Sequence, residues 1–240
     1  MKRLLILIAL VSTVAFARAD LVMREQADFG NPTNLMTITI QIHGNKIRQD
    51  LTGAESDDMS LIKDADTGDC IVLMPQQKMF AKPAAKIRNA QSPEAALTKP
   101  QDTGKSASVD GYDAEIFAWA ADRKLWNDTN GMTETLWVAK AYPSFGKIKP
   151  YLAKLDRANA SFPGKAMQPE ISTLPGMVLK SEVTVKMGNL LQTVSYTLVS
   201  AKEEPVDPSI FKVPGDYKEA IPSPPPGPSA PTPAPNKSAP

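Results

Sequence analysis

Residues 174–200, LPGMVLKSEVTVKMGNLLQTVSYTLVS, constrain the fold more than any other stretch. Two runs of alternating side chains meet at Gly188-Asn189, and glycine opening a two-residue loop suits a turn whose twist matches its flanking strands. Counting from that turn sets the register of a long β-hairpin. Met187 faces Leu190, Val185 faces Gln192, Val183 faces Val194, Ser181 faces Tyr196 and Leu179 faces Leu198, so one face is largely apolar. The other face pairs Lys180 with Thr197, Glu182 with Ser195 and Thr184 with Thr193. A strand pair this long is marginal alone, so the rest of the chain is expected to build a sheet around it.

The N-terminal half repeats the device. Met36, Ile38, Ile40 and Ile42 share one face of a run that turns at Gly44-Asn45, which sets Ile42 opposite Ile47 and Ile38 opposite Leu51. A weaker strand is expected over Asp20–Asp28, where Val22, Arg24 and Gln26 alternate against Leu21, Met23 and Glu25. A meander follows: Met59–Lys63, a turn over Asp64–Asp69, Cys70–Met74 and Lys78–Lys82. Cys70, Val72 and Met74 oppose Ile71 and Leu73, and two apolar faces predict a central strand. Residues 83–105 lose the β rhythm and read as a mobile insertion or lid. Strands are expected again over Val109–Trp119 and Met132–Lys140. Between them and the long hairpin, Phe145, Ile148, Leu152 and Leu155 recur at helical spacing, with Pro150 among them. Ile210, Phe211 and Val213 are expected to pin the end of a domain spanning 20–217.

The two ends differ from this middle. Lys2 and Arg3, the apolar run Leu4–Phe16 and Ala17-Arg18-Ala19 have the form of a secretory signal over 1–19, cleaved before Asp20. A soluble product outside the cytoplasm, periplasmic or secreted, is the expectation. Removing that segment moves the net charge from +1 to about −2, which argues against a nucleic-acid partner. Residues 218–240, ending PSPPPGPSAPTPAPNKSAP, are expected to form an extended proline-rich tail, solvated or tethering the domain to an envelope partner. No later apolar run has the length of a membrane span.

The chain is poor in catalytic signatures. Asp64-Ala65-Asp66-Thr67-Gly68-Asp69 has carboxylates at intervals, but its glycine comes one place early for a calcium loop and Pro75 stands where a bidentate Glu is needed. Thr103-Gly104-Lys105-Ser106 lacks the upstream glycine of a phosphate loop. With His43 the only histidine and Cys70 the only cysteine, no zinc set or Cys-His pair can form within one chain. Acidic residues always offer pairs, and none stands out. No catalytic, cofactor or metal residue is assigned. An adaptable apolar cavity is the remaining candidate, weighed against an ordinary core, because several strands are apolar on both faces and only one clear helix covers them.

The order of Gly44–Arg48, Ile62–Asp64, Val72–Phe80, Gly111-Tyr112, Trp137-Val138 and Phe211–Tyr217 resembles the exported domain of unknown function 4412, grouped here with LolA/LolB-like lipoprotein-carrier and lipid-binding folds. The resemblance implies a mainly β, α+β fold. In it an antiparallel sheet curls into an unclosed half-barrel with one or two covering helices. It transfers no functional residue. Cavity candidates are Met36, Ile38, Ile40 and Ile42; Val72 and Met74; Phe117, Trp119 and Trp137; and Leu179, Val183, Val194, Tyr196 and Leu198. The leading expectation is an exported non-catalytic protein holding a lipid or acyl chain. The alternative is a structural or interaction module of the envelope whose core is filled by its own helix.

Overall fold

A computed structural model of the chain describes residues 20–30, 35–53, 57–83, 99–120, 130–160 and 169–220. The strands in chain order are β1 (Asp20–Asp28), β2 (Leu35–His43), β3 (Lys46–Gly53), β4 (Met59–Asp64), β5 (Cys70–Met74) and β6 (Met79–Ala81). They continue with β7 (Gln101–Val109), β8 (Tyr112–Ala120), β9 (Asn130–Ala139), β10 (Met177–Met187), β11 (Leu190–Glu204) and β12 (Lys218–Glu219). One helix, α1 (Phe145–Ala160), lies between β9 and β10. All the strands join one open sheet in the order β12-β6-β5-β4-β3-β2-β1-β11-β10-β9-β8-β7. It consists of two antiparallel meanders, β2 to β6 and β7 to β11, with β1 paired to β2 on one side and β11 on the other.

Turn chemistry sets the register at both long hairpins. Gly44 and Gly188 adopt φ of 58° and 59°, a left-handed conformation that glycine reaches without a Cβ clash. The pairings expected from counting are present: Ile42 with Ile47, Ile38 with Leu51, Met187 with Leu190 and Val183 with Val194. Because a one-residue slip would turn every side chain to the other face, these turns decide which residues meet the core.

α1 covers one face of the sheet. Ile148, Leu152, Leu155 and Ala158 pack against Leu21 and Met23 of β1, Ile40 and Ile42 of β2, Ile47 of β3 and Leu198 of β11. Each such side chain removed from water contributes about 1.5–3 kcal/mol, which makes this the principal core. The helix runs through Pro150, whose ring is on the exposed side and removes one backbone donor from the ladder. Lys154 Nζ donates to Gly44 O at 2.8 Å and Lys63 Nζ to Asn159 Oδ1 at 2.7 Å, tying α1 to the β2–β3 turn and to β4. A second cluster joins Phe117, Leu136, Val138 and Leu174 farther along the C-terminal meander.

Four expectations change. Residues 109–119 are not one strand: Asp110 and Gly111 have φ of 48° and 82°, a two-residue turn between β7 and β8. Gln101–Lys105 therefore belongs to a strand rather than to an insertion, and 84–98 lies outside the described residues. β5 is third from one edge instead of central, with Cys70 and Leu73 buried and Val72 and Met74 half-buried. The tail begins later than 218, because Lys218 and Glu219 form β12, parallel to β6. Residues 221–240 and the signal-like segment 1–19 also lie outside the described residues.

Candidate functional site

β1 sends Leu21, Met23, Glu25 and Ala27 to the face covered by α1, because side chains alternate along a strand. Leu21, Met23 and Ala27 are buried. Glu25 stands in the same row. On β9, Met132, Glu134, Leu136 and Val138 form the equivalent row, and Glu134 is 9% exposed. Each strand thus places one carboxylate at an inward position otherwise held by apolar residues.

The two acids share a cavity of about 330 Å³. Its sheet wall is Ile38 and Ile40 of β2, Leu136 of β9, Leu179, Ser181 and Val183 of β10, and Tyr196 and Leu198 of β11. Its other wall is the C-terminal half of α1, with Leu155, Asp156 and Asn159, and the segment Pro169–Ile171. Two β-bulges shape it. The register of β11 against β1 skips Val199, and that of β10 against β9 skips Leu179. A bulge bends its strand and re-aims neighbouring side chains, and at the second one Val178, Leu179, Lys180 and Ser181 all reach the cavity.

Electrostatically the cavity is unusual. Burial strips water from Glu25 and pushes its pKa up to about 7. Glu134 is likewise pushed up to about 7 by burial, with the nearby Glu25 charge adding to the rise and a hydrogen bond from Ser181 opposing it. Burial and the same two acids raise the Tyr196 phenol. Asp156 is raised by burial, although its Oδ2 accepts from Ser172 N at 2.8 Å. Lys180 also lines the cavity, but its Nζ is 2.7 Å from Glu182 Oε1 and 4.7 Å from the centroid of the Trp137 ring. Chemically, the arrangement offers an apolar chamber with acceptors at one place, able to receive a donor or a positive charge.

Among the sequence candidates, Ile38, Ile40, Leu179, Val183, Tyr196 and Leu198 meet in this cavity. Ile42 is buried in the core beneath α1, and Phe117 packs in the second cluster. Trp119 is 3% exposed and its Nε1 has no hydrogen-bond partner among the described residues. Trp137 lies under the Lys180 ammonium. Met36, Val72, Met74 and Val194 are half-buried on their strands and do not line the cavity. Neither Glu25 nor Glu134 stands out among the acidic residues of the sequence; the available signal is an acid inside an alternating apolar row.

The other polar positions are structural. Asp20 is 3% exposed and accepts from Val206 N at 3.1 Å, with His43 Nδ1 2.9 Å from its Oδ2. The His43 ring stacks on Phe211 at 6.0 Å, so this histidine latches the C-terminal segment to β1. In the Asp64–Asp69 turn, Asp64 Oδ1 accepts from Asp66 N and Thr67 N, which makes it a hydrogen-bonded turn. Among the described residues no group of three His, Cys, Asp or Glu side chains could hold a metal ion, and no helix is long and apolar enough to cross a membrane.

Comparison with known proteins gives one family. The model described as "Domain of unknown function (DUF4412)" matches residues 21–217. No curated protein matches. Among solved structures, the chain is similar to PNGF-II at a TM-score of 0.39 and 11% identity, covering 84% of this chain and 31% of that one. The present chain therefore spans about a third of that protein, and the likeness is too low to carry an argument. The expected kinship with lipoprotein carriers is not among these findings.

Proposed function

We propose that this chain, which belongs to the family described as domain of unknown function 4412, is an exported, non-catalytic binding protein that holds a hydrophobic ligand between α1 and the sheet. The cavity carries the reading. α1 fills the covered face beside Ile148 and Leu152, yet from Leu155 onward it leaves about 330 Å³ walled by Ile38, Ile40, Leu136, Leu179, Val183 and Leu198. That volume is at the lower end of the ~300–1,000 Å³ usual for small-molecule sites. Each methylene buried there contributes about 0.8 kcal/mol, so an acyl chain needs no elaborate polar signature to bind. The LolA-like comparison belongs to this proposal and agrees with an open, mainly antiparallel sheet bearing a covering helix. Export rests on the signal-like run 1–19, which ends where β1 begins.

Native mass spectrometry of the protein purified from the exported fraction, followed by solvent extraction, tests the reading. A stoichiometric adduct released as a lipid or acyl compound is expected. Protein that carries nothing and takes up no apolar dye contradicts it and favours a structural module filled by its own helix.

A further inference from the structure

A cavity made only for a hydrocarbon chain would not place ionisable acids inside it. Glu25 lines the chamber from β1, half-buried, and no hydrogen bond or ion pair joins it to another of the described residues. Glu134 enters from β9, 9% exposed, with Ser181 as its hydrogen-bonding neighbour. A carboxylate drawn largely out of water favours a cationic or hydrogen-bond-donating neighbour. Among the described residues none pairs with Glu25. Asp156 of α1 and Glu170 beyond it add acidic groups to the lining, while Tyr196 of β11 contributes a phenol. Among the described residues, the one lysine that lines the chamber, Lys180, is already engaged by Glu182 and the face of Trp137. The charge the chamber lacks is therefore positive.

We propose that the cavity takes a single-chain amphiphile with an ammonium head, the chain lying against Ile38, Ile40, Leu179 and Val183 and the head between Glu25 and Glu134. This inference rests on the ligand-binding reading above and specifies its chemistry. The ammonium supplies donors to Glu25 and adds to the one that Glu134 receives from Ser181, and its charge relieves the repulsion between the two acids. An anionic head meets four acids, and a neutral head leaves Glu25 charged and unpaired. The preference depends on ionised acids, so it strengthens as the pH rises through about 7, where both carboxyls lose their protons.

The test measures binding of dodecylammonium, dodecanol and dodecanoate to the full chain by calorimetry, at about pH 8 and about pH 5. At the higher pH dodecylammonium is expected to bind at least about tenfold more tightly than dodecanol, and dodecanoate more weakly than either. The ammonium advantage shrinks at the lower pH. It also disappears in the Glu25→Gln, Glu134→Gln double variant, whose far-ultraviolet spectrum and cooperative melting show that it is folded. Equal affinity for ammonium and alcohol, or an advantage that survives the double variant, overturns this inference and leaves apolar ligand binding standing. Failure of all three amphiphiles to bind overturns both.

Discussion

The two ends of β1 bury carboxylates in opposite ways. Asp20, at the start of the strand, is 3% exposed and surrounded by donors: the Val206 amide, and the His43 ring held against Phe211. Glu25, five residues along, reaches a largely apolar chamber, is joined by no hydrogen bond to another described residue, and neighbours a second acid, Glu134. The first acid is consumed by the fold, since it joins β1, β2 and the C-terminal segment. The second is left over by the fold. A buried group whose hydrogen bonds are complete holds structure together, whereas one without a partner among the described residues is available to a ligand.

The contrast breaks most severely where α1, the sheet and the cavity share a side chain. Ile40 is 4% exposed, packs in the α1 cluster and lines the chamber, so Ile40→Asp inserts an unpaired charge into both. Loss of cooperative folding is expected, read as a missing thermal transition. Asp20→Ala is next. It orphans the Val206 amide and the His43 donor, and should destabilise the protein by about 2–3 kcal/mol in chemical denaturation.

Glu134→Gln should act in the other direction and only at one end of the pH range. Its folded pKa, about 7, is above the ordinary carboxylate value of 4.5. The native state therefore keeps its proton where the unfolded state has lost it. The stabilising contribution is complete below about pH 4.5 and is lost as the pH rises through about 7. The amide stays neutral throughout, so the variant gains stability above about pH 7, by about 1–3 kcal/mol, and changes little near pH 4. Denaturation at both pH values checks the sign. If Glu134→Gln and Asp20→Ala shift stability the same way at the higher pH, the distinction between the two acids fails.

The smallest effect belongs to His43→Ala, which removes one donor from Asp20 but leaves the Val206 amide in place. A loss of about 1 kcal/mol is expected, with dye binding unchanged, because His43 is not part of the cavity lining.

Much of this architecture is legible in the residues. Both long hairpins could be counted because alternation has a period of two and the glycine turns fix the register. The helix was readable from Phe145, Ile148, Leu152 and Leu155, since a single apolar stripe at helical spacing has one interpretation. The turn at Asp110-Gly111 was hidden because the flanking residues continue the strand pattern through it. Half-buried Val72 and Met74 read as central because apolar content reports local covering and not position in a sheet.

The site was less legible for a topological reason. Glu25 and Glu134 are more than a hundred residues apart in sequence and meet only because β1 joins β11, which brings the two meanders into one sheet. No turn count predicts that pairing. The local sign was present in both strands, an acid within a row of inward apolar residues, but a charged residue ordinarily signals solvent. Six of the candidates line the chamber; the acids that give it its chemical character were not among them.

The central claim is that the chamber beside Leu155 is an open ligand site. Its most direct test compares binding of an apolar fluorescent dye to the full chain and to Val183→Trp, which puts an indole where Val183 lines the cavity. Circular dichroism and thermal melting establish that the variant is folded. The account predicts saturable, one-to-one dye binding by the native protein and its loss in the folded variant. Native protein that binds no dye, or a folded variant that binds it equally well, would contradict the account.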